Sequence, residues 1–211
     1  LKMDAKIVVM TMPDLDNFHI KRSYVSSDVE YIYMDHGLSS INMLARKGAV
    51  DHFDTVFCAG QHIIDEMKAT EEHYGLPHKN LIAYGYGFMD GLIKTCSTDS
   101  TIASGDFILL APSHQKDNIL DSCLEPVIEG LKSTGYKVII RPHPQYIRRY
   151  PDKWKRISAQ YASDPQVITE SDFSSNTSIY QAALVVTDWS NIGYEYSFST
   201  LRPVMSVSYT H

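Results

Sequence analysis

Several features that would assign a protein to a class are scarce or missing in this chain of 211 residues. It has three cysteines, Cys58, Cys96 and Cys123, and no two of them form a CxxC pair. This usage indicates a reducing compartment and argues against a disulfide scaffold or a zinc site. No segment approaches the roughly 18 apolar residues of a membrane-spanning helix, and the first residues lack a signal-peptide pattern. The formal net charge of −6 argues against nucleic acid as a partner.

The sequence does contain the composition and the periodicity of a folded α/β protein. Hydrophobic residues make up 44% and charged residues 21%, which is enough to build a core. Short apolar runs alternate with helical patterns, as in βαβ units with a parallel sheet. The predicted strands are 6–12, 30–34, 54–58, 81–84, 107–111, 137–140, 166–168 and 183–187, and the predicted helices are 61–74 and 118–133.

A polar stretch around residues 97–106 interrupts this alternation and divides the chain. We predict two Rossmann-like lobes, 1–98 and 104–211, with the active site in the cleft between them. The chain begins at Leu1 and stops just after the apolar run 203–207, where an α/β fold normally continues. We therefore expect a fragment that is truncated at both ends.

Two predicted strands run directly into a histidine. His36 follows the strand 30–34 and precedes a glycine, a position where a general base could meet a substrate hydroxyl, although an isolated His-Gly pair is more often a simple turn. His143 follows the strand 137–140 and lies between two prolines that restrict its backbone. Arg141 stands beside it, and both side chains can donate hydrogen bonds to phosphate oxygens. This stiffened pair is the better candidate for an anion site.

Polar residues also follow two other predicted strands. Asp188 ends the strand 183–187, and Ser190 and Asn191 then have the chemistry of a helix start, which either caps the helix or binds phosphate. Glu195 lies about one helical turn further along. The strand 81–84 leads into a glycine turn with Gly85, Gly87 and Asp90. The turn is not a GxGxxG fingerprint, because Asp90 occupies the last position.

In this order, the motifs resemble the CDP-glycerol glycerophosphotransferase family of teichoic-acid synthesis. That family has a His-Gly pair, a glycine turn ending in Asp, an Ala-Pro-Thr/Ser segment, Arg-Pro-His-Pro, and Asp-Tyr-Ser-Ser followed by Glu. The corresponding residues here are His36-Gly37, Gly85 to Asp90, Ala111-Pro112-Ser113, Arg141 to Pro144, and Asp188-Trp189-Ser190-Asn191 with Glu195. The match extends over about residues 30–207.

The resemblance implies a GT-B-like fold and transfer of glycerol phosphate, or a related alditol phosphate, from a CDP-linked donor with release of CMP. It implies His36 and His143 as catalytic residues, with His36 as the base for the acceptor hydroxyl. The implied donor-binding residues are Ser113, Arg141, Asp188, Ser190, Asn191 and Glu195, and the glycine turn lies near the cleft. The implied acceptor is a polyol-phosphate or glycan polymer or its lipid-linked precursor. Neutral N–H groups, imidazole and arginine can stabilise phosphoryl transfer, so neither a metal nor another cofactor is required.

The chain also departs from the family pattern. Gly87 and Phe88 replace the expected Pro and Arg of the glycine turn, and His114 and Gln115 replace an aromatic residue and Arg. Because two cationic contacts are missing, we expect a divergent member with a different donor or acceptor. Two alternatives stay open: a nucleotide-sugar glycosyltransferase or epimerase of GT-B shape, and a non-catalytic module that binds nucleotide or phosphate.

A basic segment, residues 148–156, carries five cations and two aromatic residues. It either contacts anionic lipid headgroups near a lipid-linked acceptor or is a solvated helix start entered through Pro151, and the second interpretation is favoured. The predicted location is the cytoplasm, with peripheral contact at the inner face of the cell membrane.

Overall fold

The computed structural model describes residues 2, 4–98, 105–188 and 190–207. The chain divides into two compact units, residues 1–87 and 88–211, and each contains one parallel β-sheet with helices. The α/β class and the two-sheet organisation predicted from the sequence are confirmed. The predicted boundary at 98–104 falls largely on residues outside the described ones, and it stays a prediction.

The first unit has a four-stranded sheet in the order β1-β2-β3-β4, with every strand parallel to its neighbours. Its elements are β1 (Ile7–Met10), β2 (Glu30–Met34), α1 (Ile41–Leu44), β3 (Thr55–Cys58), α2 (Gln61–Tyr74) and β4 (Asn80–Ala83). Helix α2 has the predicted bounds, because Gly75 ends it in the left-handed conformation with φ of 62°.

The core of the first unit forms where α2 packs on the central strands. Tyr31 and Tyr33 of β2 and Val56 of β3 meet Ile63 and Met67 of α2, all of them buried. The spacing of Ile63 and Met67 places both side chains on one face of the helix. Alternation along β2 and the helical period along α2 therefore direct their apolar residues into the same layer.

The second unit has a five-stranded parallel sheet in the order β7-β6-β5-β8-β9. Its elements are α3 (Gly87–Thr98), β5 (Phe107–Leu110), α4 (Ile119–Ser122), α5 (Leu124–Lys132), β6 (Lys137–Ile140), α6 (Pro144–Arg149), α7 (Pro151–Tyr161), β7 (Val167–Thr169), α8 (Thr177–Gln181), β8 (Leu184–Thr187), α9 (Ile192–Thr200) and β9 (Val204–Ser206). Helix α3 begins at the last residue of the first unit.

Both faces of the second sheet are covered. Ile108 and Leu110 of β5 belong to the core cluster formed with α5 and α7, whereas Leu109 belongs to the cluster formed with Tyr196 of α9. Residues of alternating position along a strand point to opposite faces, so β5 supplies both layers. This is why β5 reads as a continuous apolar run rather than an alternating one.

Two segments differ from the sequence prediction. The predicted helix 118–133 is interrupted at Cys123, which has φ of −147°. Pro126 explains the interruption: it has no N–H for the carbonyl of Ser122, and its ring would clash with that carbonyl in a continuous helix. The glycine turn is shorter than predicted, because the chain is already helical from Gly87 onward.

The basic segment lies at the end of α6 and in α7. Helix α7 starts at Pro151, as the favoured interpretation predicted. Trp154 is buried in the core, and Lys153 donates to the Asp121 carboxylate at 2.7 Å. One aromatic residue and one cation of the segment therefore stabilise the second unit through core packing and an ion pair.

Candidate functional site

The carboxyl edge of the second sheet brings together three segments that are distant in sequence. Strands β6, β5 and β8 are neighbours, and Leu110 is aligned with both Ile140 and Val186. From β5 the chain adds β6 and β7 on one side of the sheet, and it then adds β8 and β9 on the other side of β5. The winding direction of the sheet therefore changes between β5 and β8. Ligands of open α/β sheets bind beyond the carboxyl ends of the strands at such a point. This edge is the candidate site of the second unit.

The carboxylate of Asp188 fastens the end of β8 to the loop that follows β5. One of its oxygens accepts from the N–H of Ser113 at 2.7 Å, and the other accepts from the N–H of Ile119 at 3.3 Å. The hydroxyl of Thr187 also donates to the carbonyl of Ala111 at 2.7 Å. Asp188 therefore shapes the loop 111–119. Donor binding by Asp188 and Ser113, both buried at this edge, stays a prediction.

Arg141 follows β6, and its buried guanidinium lies in a network with half-buried and exposed polar residues. One terminal nitrogen donates to the Glu170 carboxylate at 2.8 Å and to the Ser178 hydroxyl at 3.0 Å. The other donates to the carbonyl of Ser175 at 2.9 Å and to the side chain of Asn176 at 3.3 Å. The residue is only 6% exposed. These four contacts fix the segment 170–178, and a phosphate contact of Arg141 stays a prediction.

His143 caps helix α6 with its own ring. Its Nδ1 accepts from the N–H of Gln145 at 3.1 Å, so a neutral imidazole carries its proton on Nε2. The backbone N–H of His143 donates to the carbonyl of Pro112 at 3.2 Å, which ties this residue to the loop after β5. The ring orientation is therefore fixed, and Nε2 is the ring's hydrogen-bond donor.

His114, which the sequence analysis treated only as a departure from a family pattern, lies against His143. Their ring centroids are 4.5 Å apart and the rings are inclined by 40°. Burial, followed by the charges of neighbouring His114 and of Arg149, lowers the pKa of His143. Burial and Arg149 likewise lower the pKa of His114. The sequence signal was the position of His114, shortly after the end of a buried strand.

Helix α9 starts at the same edge, directly after β8. Asn191 is its N-cap residue, and the Ser190 hydroxyl accepts weakly from the N–H of Ile192 at 3.5 Å. Gly193 packs against Thr187 and Val204, and an added Cβ would lie 3.4 Å from each of them. The predicted helix start is confirmed, while phosphate binding by Ser190 and Asn191 stays a prediction.

One predicted donor-binding residue and one further residue of the motif after β8 remain. Glu195 lies in the first turn of α9 and is half-buried. Trp189 lies outside the described residues. The structure thus brings Ser113, Arg141, His143, Asp188 and Ser190 to one sheet edge, and the chemical role of each is a matter for experiment.

In the first unit, His36 and the glycine turn share the carboxyl edge of the first sheet. The side chain of His36 is exposed, and its carbonyl accepts from the hydroxyl of Tyr86 at 3.1 Å. Gly85 has φ of 82°, a conformation that favours glycine. Gly87 ends the first unit, and exposed Asp90 lies in the first turn of α3 in the second.

Asp35, which lies between β2 and His36, is a buried carboxyl. It is 7% exposed, and its Oδ2 has no hydrogen-bond partner among the described residues. Burial raises its pKa to about 6, against the smaller opposing effects of His36 and of two backbone N–H groups. Burial and the charge of Asp35 also raise the pKa of Cys58 to about 11 and that of Tyr33 to about 12.

Within the described ranges, no group of three His, Cys, Asp or Glu side chains is arranged to hold a metal ion. No described helix combines the length and the apolar character needed to cross a membrane.

The sequence matches no protein-family profile, and no curated protein sequence matches it. Solved structures do share its fold. UDP-GlcNAc 2-epimerase from Methanocaldococcus jannaschii, in complex with UDP-GlcNAc and UDP, matches with a TM-score of 0.62 at 14% identity, over 84% of this chain and 53% of the epimerase. A variant of the wall teichoic acid polymerase TagF matches with a TM-score of 0.57 at 13% identity, over 95% of this chain and 54% of the polymerase.

UDP-N-acetylglucosamine 2-epimerase from Rickettsia bellii also matches, with a TM-score of 0.55 at 15% identity, over 83% of this chain and 49% of that one. The chain therefore spans about half the length of these structures. The likeness confirms the predicted fold class, two α/β units of the GT-B type with parallel sheets.

Proposed function

We propose that this chain is part of a transferase that moves glycerol phosphate, or a related alditol phosphate, from a CDP-linked donor to a hydroxyl group, with CMP released. The acceptor is a polyol-phosphate or glycan polymer or its lipid-linked precursor. The proposal combines the motif resemblance with a fold that is shared with a wall teichoic acid polymerase.

One observation carries the proposal: His143, Ser113, Ser190, Asp188 and the start of α9 lie at a single carboxyl edge where the sheet changes its winding direction. Helix starts and imidazole N–H groups bind phosphate oxygens. The Nε2–H of His143 is available in the neutral ring to donate to the donor diphosphate, because Nδ1 is already an acceptor. The edge suits a nucleoside diphosphate better than an uncharged ligand.

In the proposed reaction, the acceptor oxygen attacks the phosphorus that carries the glycerol group. The bond from that phosphorus to the bridging oxygen breaks, and CMP leaves with the electron pair. His36 accepts the proton of the attacking hydroxyl, while His143 and the N–H groups at the start of α9 stabilise the negative charge that develops on the leaving phosphate. No metal is assigned a step, so chelation is expected to leave the rate unchanged.

Substitutions of His36 and of His143 test two separate parts of the proposal. His143→Ala is expected to weaken binding of CDP-glycerol by at least tenfold, since a hydrogen bond to a charged group contributes about 1.5–3 kcal/mol. His36→Ala is expected to preserve binding and to slow transfer by a factor on the order of 10²–10⁴. Calorimetry measures the first, and release of CMP with an authentic acceptor measures the second.

The control is His19→Ala, because His19 is an exposed histidine of the first unit outside the proposed machinery. Equal affinity of His143→Ala and the unchanged chain would show that the Arg-Pro-His-Pro segment is only a turn. Loss of donor binding in His36→Ala would show that the assignment of the base to the first unit and the donor site to the second is wrong.

A second candidate function is epimerisation of a UDP-linked N-acetyl sugar. It is favoured by the TM-score of 0.62 to the archaeal epimerase, against 0.57 to the polymerase variant. Incubation with UDP-GlcNAc and chromatographic detection of the C2 epimer tests it. Tight binding of UDP-GlcNAc with no binding of CDP-glycerol would replace the first proposal by the second.

The expected cellular context follows from the proposed acceptor. A cytoplasmic protein that meets a lipid-linked precursor would bind at the inner face of the membrane, with no nucleic acid partner. Arg148, Arg149, Lys155 and Arg156 are the cations of the basic segment left after Lys153 pairs with Asp121. Sedimentation with anionic vesicles tests this contact, and a charge-reversed segment that still sediments would exclude it.

A further inference from the structure

The loop after β5 and the segment after β6 place two imidazole side chains together at the edge of the second sheet. His114 and His143 are half-buried, with ring centroids 4.5 Å apart. Arg149, in the last turn of α6, is close enough for its charge to act on both rings. Neither the motif resemblance nor the proposed mechanism uses His114 or Arg149.

We propose that His114 and His143 form one phosphate-binding cluster, in which His114 is a second imidazole donor to the phosphate groups of the donor nucleotide. This inference rests on the proposed function, because the donor nucleotide is its ligand. It assigns to His114 the phosphate contact that the chain lost where the family pattern has an arginine.

The backbone around the cluster is held from two sides. Asp188 accepts from the N–H of Ser113, the residue before His114, at 2.7 Å. The N–H of His143 donates to the carbonyl of Pro112 at 3.2 Å. The loop that carries His114 is therefore tied to both neighbouring strands. Such support pre-organises a ligand-binding side chain and reduces the entropy lost on binding.

The charges around the cluster favour an anion. Carboxylates on the packed elements have other partners: Asp188 accepts from two backbone N–H groups, and Asp121 of α4 accepts from Tyr146 and Lys153. In the loop itself, Lys116 and Asp117 lie 3.9 Å apart and are exposed. Arg149 and the two imidazoles thus define the electrostatic character of the cluster.

A phosphate bound here would change the protonation of the His114 ring. In the ligand-free protein, burial and Arg149 lower the pKa of both imidazoles, so both are neutral at pH 7. A phosphate anion beside them would raise the pKa of His114 by direct attraction, whereas His143 stays neutral because its Nδ1 accepts from the N–H of Gln145. Binding is then accompanied by proton uptake, and affinity increases as the pH falls through the range between the free and bound pKa values.

Calorimetric titration of the full chain with inorganic pyrophosphate, CDP-glycerol and cytidine tests the proposal. His114→Gln is expected to weaken pyrophosphate and CDP-glycerol about tenfold and to leave cytidine unchanged, because only the phosphates meet the imidazole. His114→Arg is expected to retain phosphate affinity with less proton uptake, measured in two non-phosphate buffers of different ionisation enthalpy. His19→Gln is the control, and tryptophan fluorescence verifies the fold of each variant.

The outcomes separate this inference from the proposed function. Pyrophosphate binding that depends on His114, without any binding of CDP-glycerol, supports the cluster and overturns the proposed donor. CDP-glycerol binding that is equal in His114→Gln and the unchanged chain overturns the cluster and leaves the proposed function standing. Failure of the unchanged chain to bind pyrophosphate, or equal proton uptake in His114→Arg, also overturns the cluster.

Discussion

The buried carboxyl of Asp35 should make the stability of the first unit depend on pH. Its pKa is about 6 in the folded chain, against an ordinary value of 3.8. Since one pKa unit corresponds to 1.36 kcal/mol, the difference amounts to about 3 kcal/mol. The folded pKa is the higher one, so this stability is fully present below pH 3.8, is lost as the pH rises toward 6, and stays lost above that.

The variant Asp35→Asn removes the titration while keeping the shape of the side chain. The substitution also has a cost that does not depend on pH, because the amide is buried. This cost cancels when the difference in unfolding free energy between the variant and the unchanged chain is compared at two pH values, so that only the effect of the titration remains. We expect this difference to shift by about 3 kcal/mol in favour of the variant between pH 3.5 and pH 7. Urea unfolding at each pH gives the free energies, and hydrogen exchange of strands β2 and β3 assigns the transition to the first unit.

Asp54→Asn is the matched control, because its expected trend has the opposite sign. Burial opposes ionisation of Asp54, but the side chain of Arg22 and the N–H of Tyr31 outweigh it and lower the pKa. Its stabilising effect is therefore present at neutral pH and is lost as the pH falls. A pH-independent difference for Asp35→Asn would refute the idea that burial controls this carboxyl.

Two further predictions concern buried groups. Arg141→Met should destabilise the second unit by about 3 kcal/mol, because Glu170 would lose its guanidinium partner in a largely buried site; urea unfolding followed by tryptophan fluorescence measures this. Adding Glu170→Met should recover part of the loss, and additive losses would show that the pair is not coupled. Cys58 should resist a disulfide exchange reagent until the protein unfolds, because burial raises its pKa to about 11; labelling in the folded protein as fast as that of half-buried Cys96 would contradict this.

The sequence by itself determined the class of the fold and most of its strands. Strand β2 and helix α2 have the predicted bounds, since a short apolar run and a 3.6-residue apolar period are local properties of the chain. The placement of polar motifs after strands was also local information. Parallel strands then bring their carboxyl ends to one edge, which is why His143 and Asp188 share a sheet edge.

Local patterns were insufficient where a single residue overrode the period. Pro126 divides the predicted helix 118–133 at Cys123, although the apolar spacing continues across it. The glycines at 85 and 87 predict a tight turn, yet the chain is helical from Gly87 onward, and the buried side chains of Met89 and Leu92 stabilise α3. The local sterics of Pro126 decided the first case, and tertiary packing decided the second.

Only the tertiary structure decided how the polar side chains are used. Arg141 and His143 are two residues apart, but the guanidinium turns inward to Glu170 while the imidazole stays at the edge. His114 meets His143 across 29 positions of sequence because β5 and β6 are adjacent in the sheet. The burial of a polar side chain and its hydrogen-bond partners depend on contacts between segments that are distant in sequence. A motif is local, so it cannot predict these contacts.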